Sequence, residues 1–343
     1  MSIEVESVLV AGIGGASLGT EVLKSLTAAR RYAVYGCDIS PYAFGHYQEG
    51  FERTFVAPEA GYLEFVKSLC VRCGIRVVIP GGEAPLRLLG PAAPEFALSG
   101  IHVAANSAEV TSTCSDKGRL FERLRDLGIP IPQTVQVRTS SDLHGFSCPC
   151  IIKPATDSGG SNLVFLAADI SEAELYASYL LRAGKMVLAQ EYIPIDAGEF
   201  TIGVLSFPNR QLAGSVAMRR FLDTKLSVLA KTLVGLVSTG YSQGLIDEFA
   251  DIRSQAEAIA MSLGSTGPLN IQGRVRDGVL LPFEINARFS ASTYLRTLAG
   301  LNEIDMYLQY VLHGLQPVLQ PIRTGYYFRS LTETFVPRSE LRR

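Results

Sequence analysis

The chain has no run of lysine and arginine of the kind that tracks a phosphate backbone. Its 31 basic residues are scattered and offset by 33 acidic ones, for a formal charge of −2, so no nucleic-acid partner is expected. No uninterrupted apolar span is long enough to cross a bilayer. The acidic start Met1-Ser-Ile-Glu-Val-Glu-Ser is not a secretory leader, so no membrane partner is expected and the expected location is cytoplasmic. Histidine is sparse: four residues, at 46, 102, 144 and 313, form no cluster. Of six cysteines, Cys70 and Cys73 make a Cys-x-x-Cys pair. The pair ends a helical pattern, whereas redox pairs gain their low pKa at a helix start, and no second Cys/His pair at zinc spacing accompanies it. Buried, chemically silent thiols are the expectation. Repeats and low-complexity segments are also absent.

What is present describes a globular chain of more than one core. At 343 residues, with 47% apolar and 19% charged residues, two or three domains are expected. Val8–Ala11, Tyr32–Cys37, Ile75–Ile79 and Ile101–Ala104 read as continuous apolar strands alternating with helical segments (to Ala29, and Gly61–Cys73). That pattern implies a parallel sheet covered on both faces, running to about residue 112. Asp116–Leu127 is amphipathic and stops at Gly128-Ile-Pro130-Ile-Pro132. Strands at Cys150–Lys153, Leu163–Leu166 and Met186–Glu191 with a helix at Ser171–Leu181 suggest a small α+β lobe over about 146–190. Strands follow at Phe200–Leu205 and Ala213–Met218, then a long helix at Ile246–Leu263, a hairpin near 268–289 and a helix over Glu303–His313.

The hairpin carries the strongest chemical signal. A strand projects alternate side chains to one face, so Glu284, Asn286 and Arg288 in Leu281-Pro-Phe-Glu-Ile-Asn-Ala-Arg-Phe289 share a side. Two oxygen donors beside a guanidinium suit a hard divalent ion shared with substrate phosphates. Parity adds a condition. With a plain two-residue turn at Asp277-Gly278, Gln272 falls on the opposite face from Glu284. Shared metal binding therefore requires a three-residue loop or a bulge.

Two glycine loops compete for phosphate. Gly12-x-Gly14-Gly15-x-x-x-Gly19, with Asp38 ending the next strand, approximates a dinucleotide fingerprint and keeps a nicotinamide-dependent oxidoreductase open as an alternative. Thr156-Asp-Ser158-Gly159-Gly160-Ser161-Asn162 instead lies between two strands, just after Lys153. A loop so placed can close over a triphosphate and exclude water, and it is the preferred phosphate binder.

Four segments in order resemble the ATP-grasp ligases, especially the carbamoyl-phosphate-synthase-like branch. They are Cys114-Ser-Asp-Lys117; Ile151-Ile-Lys153-Pro with the following flap; Gln190-Glu191-Tyr192-Ile193 with Glu199; and Gln272 with Glu284-Ile-Asn286-Ala-Arg288. The match covers about 113–315, preceded by an N-terminal α/β domain like the family's (1–112) and followed by a C-terminal extension (316–343) expected to pack on the large lobe. The resemblance implies a Rossmann-like domain followed by a two-lobed ATP-grasp fold. It implies ATP and Mg²⁺ as cofactors, with Mn²⁺ as a substitute ion, and a small carboxylate plus an amine or ammonia as substrates. A homodimer is expected by the same analogy.

The implied roles follow residue by residue. Lys117 and Lys153 contact ATP phosphates, with Ser158, Gly159, Gly160 and Ser161 in the flap above them. Adenine lies against Glu191, Tyr192 and Ile193, and Glu199 reaches the ribose. Gln272, Glu284 and Asn286 hold metal, and Arg288 steadies the phosphoryl group or oxyanion. The expected reaction is ADP-forming ligation through an acyl phosphate, with carbamoyl-phosphate-type chemistry on bicarbonate and ammonia as the alternative. The chain departs from relatives at Ala287, where Pro is usual, and at Ser290-Ala-Ser292, where glycines often follow the Arg. Arg219 and Arg220 are candidate contacts for an anionic substrate. Pro80-Gly81-Gly82-Glu83-Ala-Pro-Leu86 resembles a substrate loop of glycinamide ribonucleotide synthetase, with Glu83 a candidate for an ammonium. No glutaminase signature is evident.

Overall fold

The apolar run at Val8–Ala11 closes β1 (Glu6–Ala11), which leads through the first glycine loop into α1 (Leu18–Ala29) and β2 (Tyr32–Asp38). After β3 (Arg53–Val56) come α2 (Tyr62–Cys73), β4 (Val77–Pro80), α3 (Glu83–Ala97) and β5 (His102–Val103). The five strands pair in the order β3-β2-β1-β4-β5, every pair parallel. These elements belong to a computed structural model that describes residues 5–15, 18–156, 161–223 and 226–342. Two elements were not legible in advance. β3 is a short edge strand, and α3 contains Pro91 and Pro94, residues that remove helix hydrogen bonds. Both prolines lie on the exposed side of the helix. The opposite face buries Leu86, Leu89 and Phe96 against α2 and the sheet.

Next come α4 (Ala108–Ser115) and α5 (Lys117–Asp126), separated by Asp116, whose carboxylate caps α5 by accepting from the Arg119 amide at 3.1 Å. Such a cap fixes where the helix starts and so places Lys117 in its first turn. The lid comprises β6 (Thr134–Val137), β7 (Cys150–Pro154), β8 (Phe165–Ala167), α6 (Ile170–Arg182) and β9 (Val187–Glu191). Its antiparallel order is β6-β9-β7-β8. The lid sheet therefore includes Thr134–Val137, ahead of the expected start near 146, because this segment pairs with β9.

The large lobe holds β10 (Glu199–Ser206), β11 (Leu212–Arg220), the small hairpin β12 (Val228–Lys231) and β13 (Leu236–Ser238), and β14 (Gly244–Ile246). After α7 (Ala250–Ser262) come β15 (Pro268–Arg276), β16 (Val279–Asn286), α8 (Thr293–Leu298), α9 (Glu303–His313) and β17 (Gly325–Tyr327). Six of the strands form an antiparallel sheet, β16-β15-β10-β11-β14-β17. The long helix expected from Ile246 begins only at Ala250. Ile246 pairs with Met218 in the sheet, and Phe249 turns the chain with φ 36°. One sheet face packs on α7 and α5 through Leu269, Ile271, Ile285, Ala256 and Leu124. The C-terminal segment contributes β17 to the large sheet, and Arg329 reaches back to Glu21 of α1 at 3.0 Å.

Candidate active site

Residues 268–276 alternate by chemistry. Leu269, Ile271 and Val275 enter the core, while Asn270, Gln272 and Arg274 share the other face of β15. Arg276 stands opposite Val279 across a two-residue turn in which Asp277 and Gly278 both have positive φ (52° and 77°), the signature of a type I′ hairpin. Continued regularly, that register would pair Gln272 with Phe283. Instead Gln272 pairs with Glu284 and Gly273 with Pro282. Phe283 is the extra residue of a β-bulge, and parity beyond it is reversed. Gln272 Nε2 consequently donates to Glu284 Oε2 at 3.2 Å, and Asn286 follows on the same face. Arg288 lies just past the strand, its Nε donating to Glu83 Oε1 at 2.7 Å and its Nη1 to the Phe289 carbonyl at 2.8 Å.

Both lysines reach this strand. Lys117 Nζ lies 3.8 Å from Glu284 Oε1. Lys153, on β7, donates to Gln190 Oε1 at 2.8 Å and to the Phe283 carbonyl at 3.1 Å. Only 4% of Lys153 is exposed. Burial, reinforced by repulsion from Lys117 and opposed by Glu284, brings its ammonium pKa down to about 7.

Beside the lysines, the connection from β9 to β10 carries Glu191, Tyr192 and Ile193. Glu191 accepts from the Gln133 amide at 3.0 Å and pairs with Arg276. The Tyr192 hydroxyl accepts from the Leu236 amide at 3.0 Å. Arg274 covers the Tyr192 ring at 4.8 Å and donates to the Ile193 carbonyl at 2.7 Å. Glu199 is held by two arginines. Its Oε1 accepts from Arg220 at 2.6 Å and its Oε2 from Arg274 at 2.9 Å, and the carboxylate is fully buried. Burial would raise its pKa, but the two guanidinium groups outweigh it and hold the carboxyl below the usual range. Glu199 lines the cavity beside the lysines with each of its oxygens held by an arginine.

The acceptor-side expectations divide likewise. Arg220 is buried, bonding Glu199, Ser238 Oγ and the carbonyls of Thr239 and Tyr241, so it braces a loop and offers no free charge to a substrate. Arg219, its neighbour on the alternating strand, is exposed and does not line either cavity. Ser161 donates its hydroxyl to the Ser238 carbonyl at 2.7 Å, tying the flap end to β13. Ser158, Gly159 and Gly160 lie outside the described residues. Two adjoining cavities result. One is lined by Lys117, Lys153, Glu191, Tyr192, Ile193 and Glu284. The other, of about 580 Å³, meets it at Ser161 and Glu284 and extends past Asn286 and Arg288 to Glu83.

The first glycine loop is built for close packing. A Cβ at Gly19 or Gly81 would collide with the Gly12 carbonyl, and one at Gly12, where φ is +99°, would meet Pro85 at 2.8 Å. Asp38 accepts from the Ile13 amide at 2.8 Å and the Ser40 amide at 3.0 Å, so both its oxygens serve the backbone. That geometry removes the support for a nicotinamide enzyme. Cys70 sits in the core with its thiol pushed up to about 12, principally by burial, the reverse of a redox cysteine.

Residues 114–292 match the model of the ATP-grasp domain family, over half of the chain. The chain belongs to the ATP-grasp family. The large chain of carbamoyl phosphate synthase from Mycobacterium tuberculosis is 25% identical over 226 residues, 62% of this chain and 19% of that protein. This chain thus matches about a fifth of the length of such relatives. The crystal structure of L-amino acid ligase from Bacillus licheniformis gives a TM-score of 0.67 at 17% identity, covering 90% of this chain and 75% of that one. The biotin carboxylase domain of Hydrogenobacter thermophilus 2-oxoglutarate carboxylase, in complex with MgADP and bicarbonate, gives 0.66 at 16% identity, covering 94% and 73%. These similarities show the fold.

The donor set fits a nucleotide-borne Mg²⁺. Glu284 contributes the one carboxylate, with the amide oxygens of Gln272 and Asn286 as neutral partners, and no cluster of three or more His, Cys, Asp or Glu ligands exists among the described residues. Sites with so few protein carboxylates complete Mg²⁺ coordination with substrate phosphates and water. Sequence reasoning missed Asn270, Arg274, Arg296 and Glu303. Asn270 and Arg274 share strand parity with Gln272, which was the available signal. Arg296 and Glu303 lie on helices and become partners only through tertiary packing.

Proposed function

We propose that the protein is an ATP- and Mg²⁺-dependent, ADP-forming ligase that joins a carboxylate to an amine or ammonia through an acyl phosphate. The observation that carries this reading is the convergence of Lys117, Lys153, Gln272 and Glu284 from four separate elements onto one cleft beside the Glu191–Ile193 connection. A carboxylate attacking a γ-phosphate is one anion approaching another, so the repulsion must be offset by charge fixed beforehand. Bound Mg²⁺ would supply part of that charge at the phosphates. Lys117 and Lys153 supply the rest from the protein. Arg288, at the strand end, is placed to hold the attacking carboxylate or the developing oxyanion. With its carbonyl held by Arg274, Ile193 retains its amide, and the Glu191 backbone carbonyl would complete a hydrogen-bonding edge for adenine.

Lid closure over the cleft would keep water from the acyl phosphate. The amine then attacks the acyl carbon, the C–O bond to phosphate breaks, and phosphate and the amine's surplus proton leave. The 580 Å³ cavity lies in the range of small-molecule sites; its wall extends past the metal donors Gln272, Glu284 and Asn286 to Glu83, which supports an organic carboxylate beside the metal and γ-phosphate. The test is ADP release across a panel of carboxylates and amines with mass spectrometry of the product. ADP formation that requires bicarbonate and ammonia, and no organic carboxylate, would overturn the reading.

A further inference from the structure

The second cavity has an unusual distribution of charge. Among its described lining residues the carboxylates and cations are Glu83, Glu284 and Arg288. Glu284 belongs with the metal donors, which leaves one acid and one base. The rest of the described polar wall is neutral, among it the hydroxyls of Thr201, Thr239, Ser242 and Ser290 and the amides of Asn270, Gln272 and Asn286. Sites that bind a sugar phosphate or a dicarboxylate need at least a second cationic or bidentate group to offset the added charge, and among the described lining residues there is none.

Glu83 and Arg288 are already paired at 2.7 Å, but each keeps one atom without a partner among the described residues. Arg288 uses Nε on Glu83 and Nη1 on the Phe289 carbonyl, leaving Nη2; Glu83 uses Oε1, leaving Oε2. Both side chains remain accessible, 19% for Arg288 and 35% for Glu83. A fixed pair with a free donor on one member and a free acceptor on the other is complementary to a ligand carrying both charges on adjacent atoms. Glu83 stands at the first position of α3, at the carboxyl end of β4, where open α/β sheets place ligands.

We infer that the carboxylate substrate is an α-amino acid, its carboxylate on Arg288 facing the phosphate site and its ammonium on Glu83. The inference rests on the ligase reading above and narrows it. It also accounts for a chemical requirement. An amino acid activated at its carboxyl group carries its own nucleophile, and a carboxylate bound to the ammonium keeps that nitrogen protonated and without a lone pair. The carboxylate oxygen forms the bond to phosphorus as the β,γ-bridging P–O bond breaks and ADP leaves. The nitrogen that then displaces phosphate comes from a second molecule.

The test compares neutral-side-chain L-amino acids with their desamino analogues, which keep the carboxylate and side chain, in ADP release by the unaltered protein. The expected result is at least a ten-fold lower KM for the amino acid. Glu83→Gln, which also weakens the hold on Arg288 Nε, should erase the preference, bringing the KM values of the amino acid and the desamino acid to within about three-fold of each other. Equal KM values for the two series with the unaltered protein, or a requirement for a phosphorylated or dicarboxylate substrate, would overturn the inference and leave the ligase reading standing. ADP release that no organic carboxylate stimulates would instead remove the ligase reading itself. Because the first comparison uses no variant, misfolding of Glu83→Gln would not rescue the idea.

Discussion

Lys153 Nζ lies 3.1 Å from the backbone carbonyl of Phe283, the one residue that breaks the register of the β15–β16 hairpin. The bulge therefore has two consequences. It swings Glu284 onto the face of Gln272, and it places a carbonyl where the buried ammonium of the lid strand can use it. A regular hairpin would give neither, so the local irregularity joins the Gln272–Glu284 side of the cleft to the lysine side.

Glu284→Gln tests the metal side most cleanly, since it keeps the shape and removes only the charge. Loss of one preorganised electrostatic contact costs about two to three decades in rate, and that loss in kcat/KM is expected here. The melting temperature should stay within about 2 °C, because a partly exposed site residue contributes little to packing. Turnover close to that of the unaltered protein at saturating Mg²⁺ would remove Glu284 from the reaction.

Lys153 predicts a proton linked to nucleotide binding. With its pKa brought down to about 7 by burial, the lysine is largely neutral at pH 8 in the free protein. An incoming phosphate favours the charged form and raises the pKa. ADP binding at pH 8 should therefore take up close to one proton, and at pH 6, where the lysine is already charged, almost none. The stability sign follows from the same shift. The unfolded lysine, near 10.4, binds more protons than the folded one between about 7 and 10, so this residue makes stability rise with pH across that window. Calorimetry in two buffers of different ionisation enthalpy measures the uptake, and Lys153→Met should abolish it.

The Arg220–Glu199–Arg274 cluster predicts a stability effect. Glu199→Gln removes the charge that both buried guanidinium groups face, and breaking such a pair costs about 3–5 kcal/mol. Glu199 has a depressed pKa, so its contribution is complete above its unfolded value near 4.3 and fades as the pH falls through the lower folded one. The stability gap between Glu199→Gln and the unaltered protein, followed by urea unfolding, should narrow on acidification. A gap below about 1 kcal/mol at pH 7 would contradict the geometry. The variant should also weaken ADP binding, since Arg274 fixes the Ile193 carbonyl.

How much of this was readable in the chain depended on the range of the interaction. Strand alternation fixed the faces of Glu284 and Asn286, and register parity required the irregularity that Phe283 supplies. Gly314, with φ 68°, ends the helix over Glu303–His313 as the residue type requires. Long-range pairing was opaque. Nothing near Glu199 in sequence indicates that Arg220 and Arg274 meet it from two neighbouring strands, nor that Arg288 closes on Glu83 from the first domain. Ile246 misled because an apolar residue preceding a helical pattern reads as part of it, and only pairing with Met218 assigns it to a strand. Pro91 and Pro94 concealed α3, whose buried face alone reveals it.

Gly203 offers a last test, of the ground behind the strand that carries Asn270 and Gln272. It lies opposite Asn270 in the β10–β15 register, and a Cβ there would meet Glu303 Oε2 at 2.7 Å and Arg296 Cζ at 2.8 Å. The absent side chain makes room for the buried Arg296, which donates to Asn270 Oδ1 at 2.6 Å and Thr201 Oγ1 at 3.2 Å and pairs with Glu303 at 3.2 Å. Gly203→Ala must displace that guanidinium, and overpacking of this kind costs about 1–3 kcal/mol. Asn270 stands across from Asn286, so activity should fall together with stability. Arg296→Met alone strands Glu303 and should also destabilise. If both act through one contact, the double variant costs less than the sum of the singles by at least about 0.5 kcal/mol. Strict additivity in urea unfolding would show instead that Gly203 serves some purpose other than admitting Arg296.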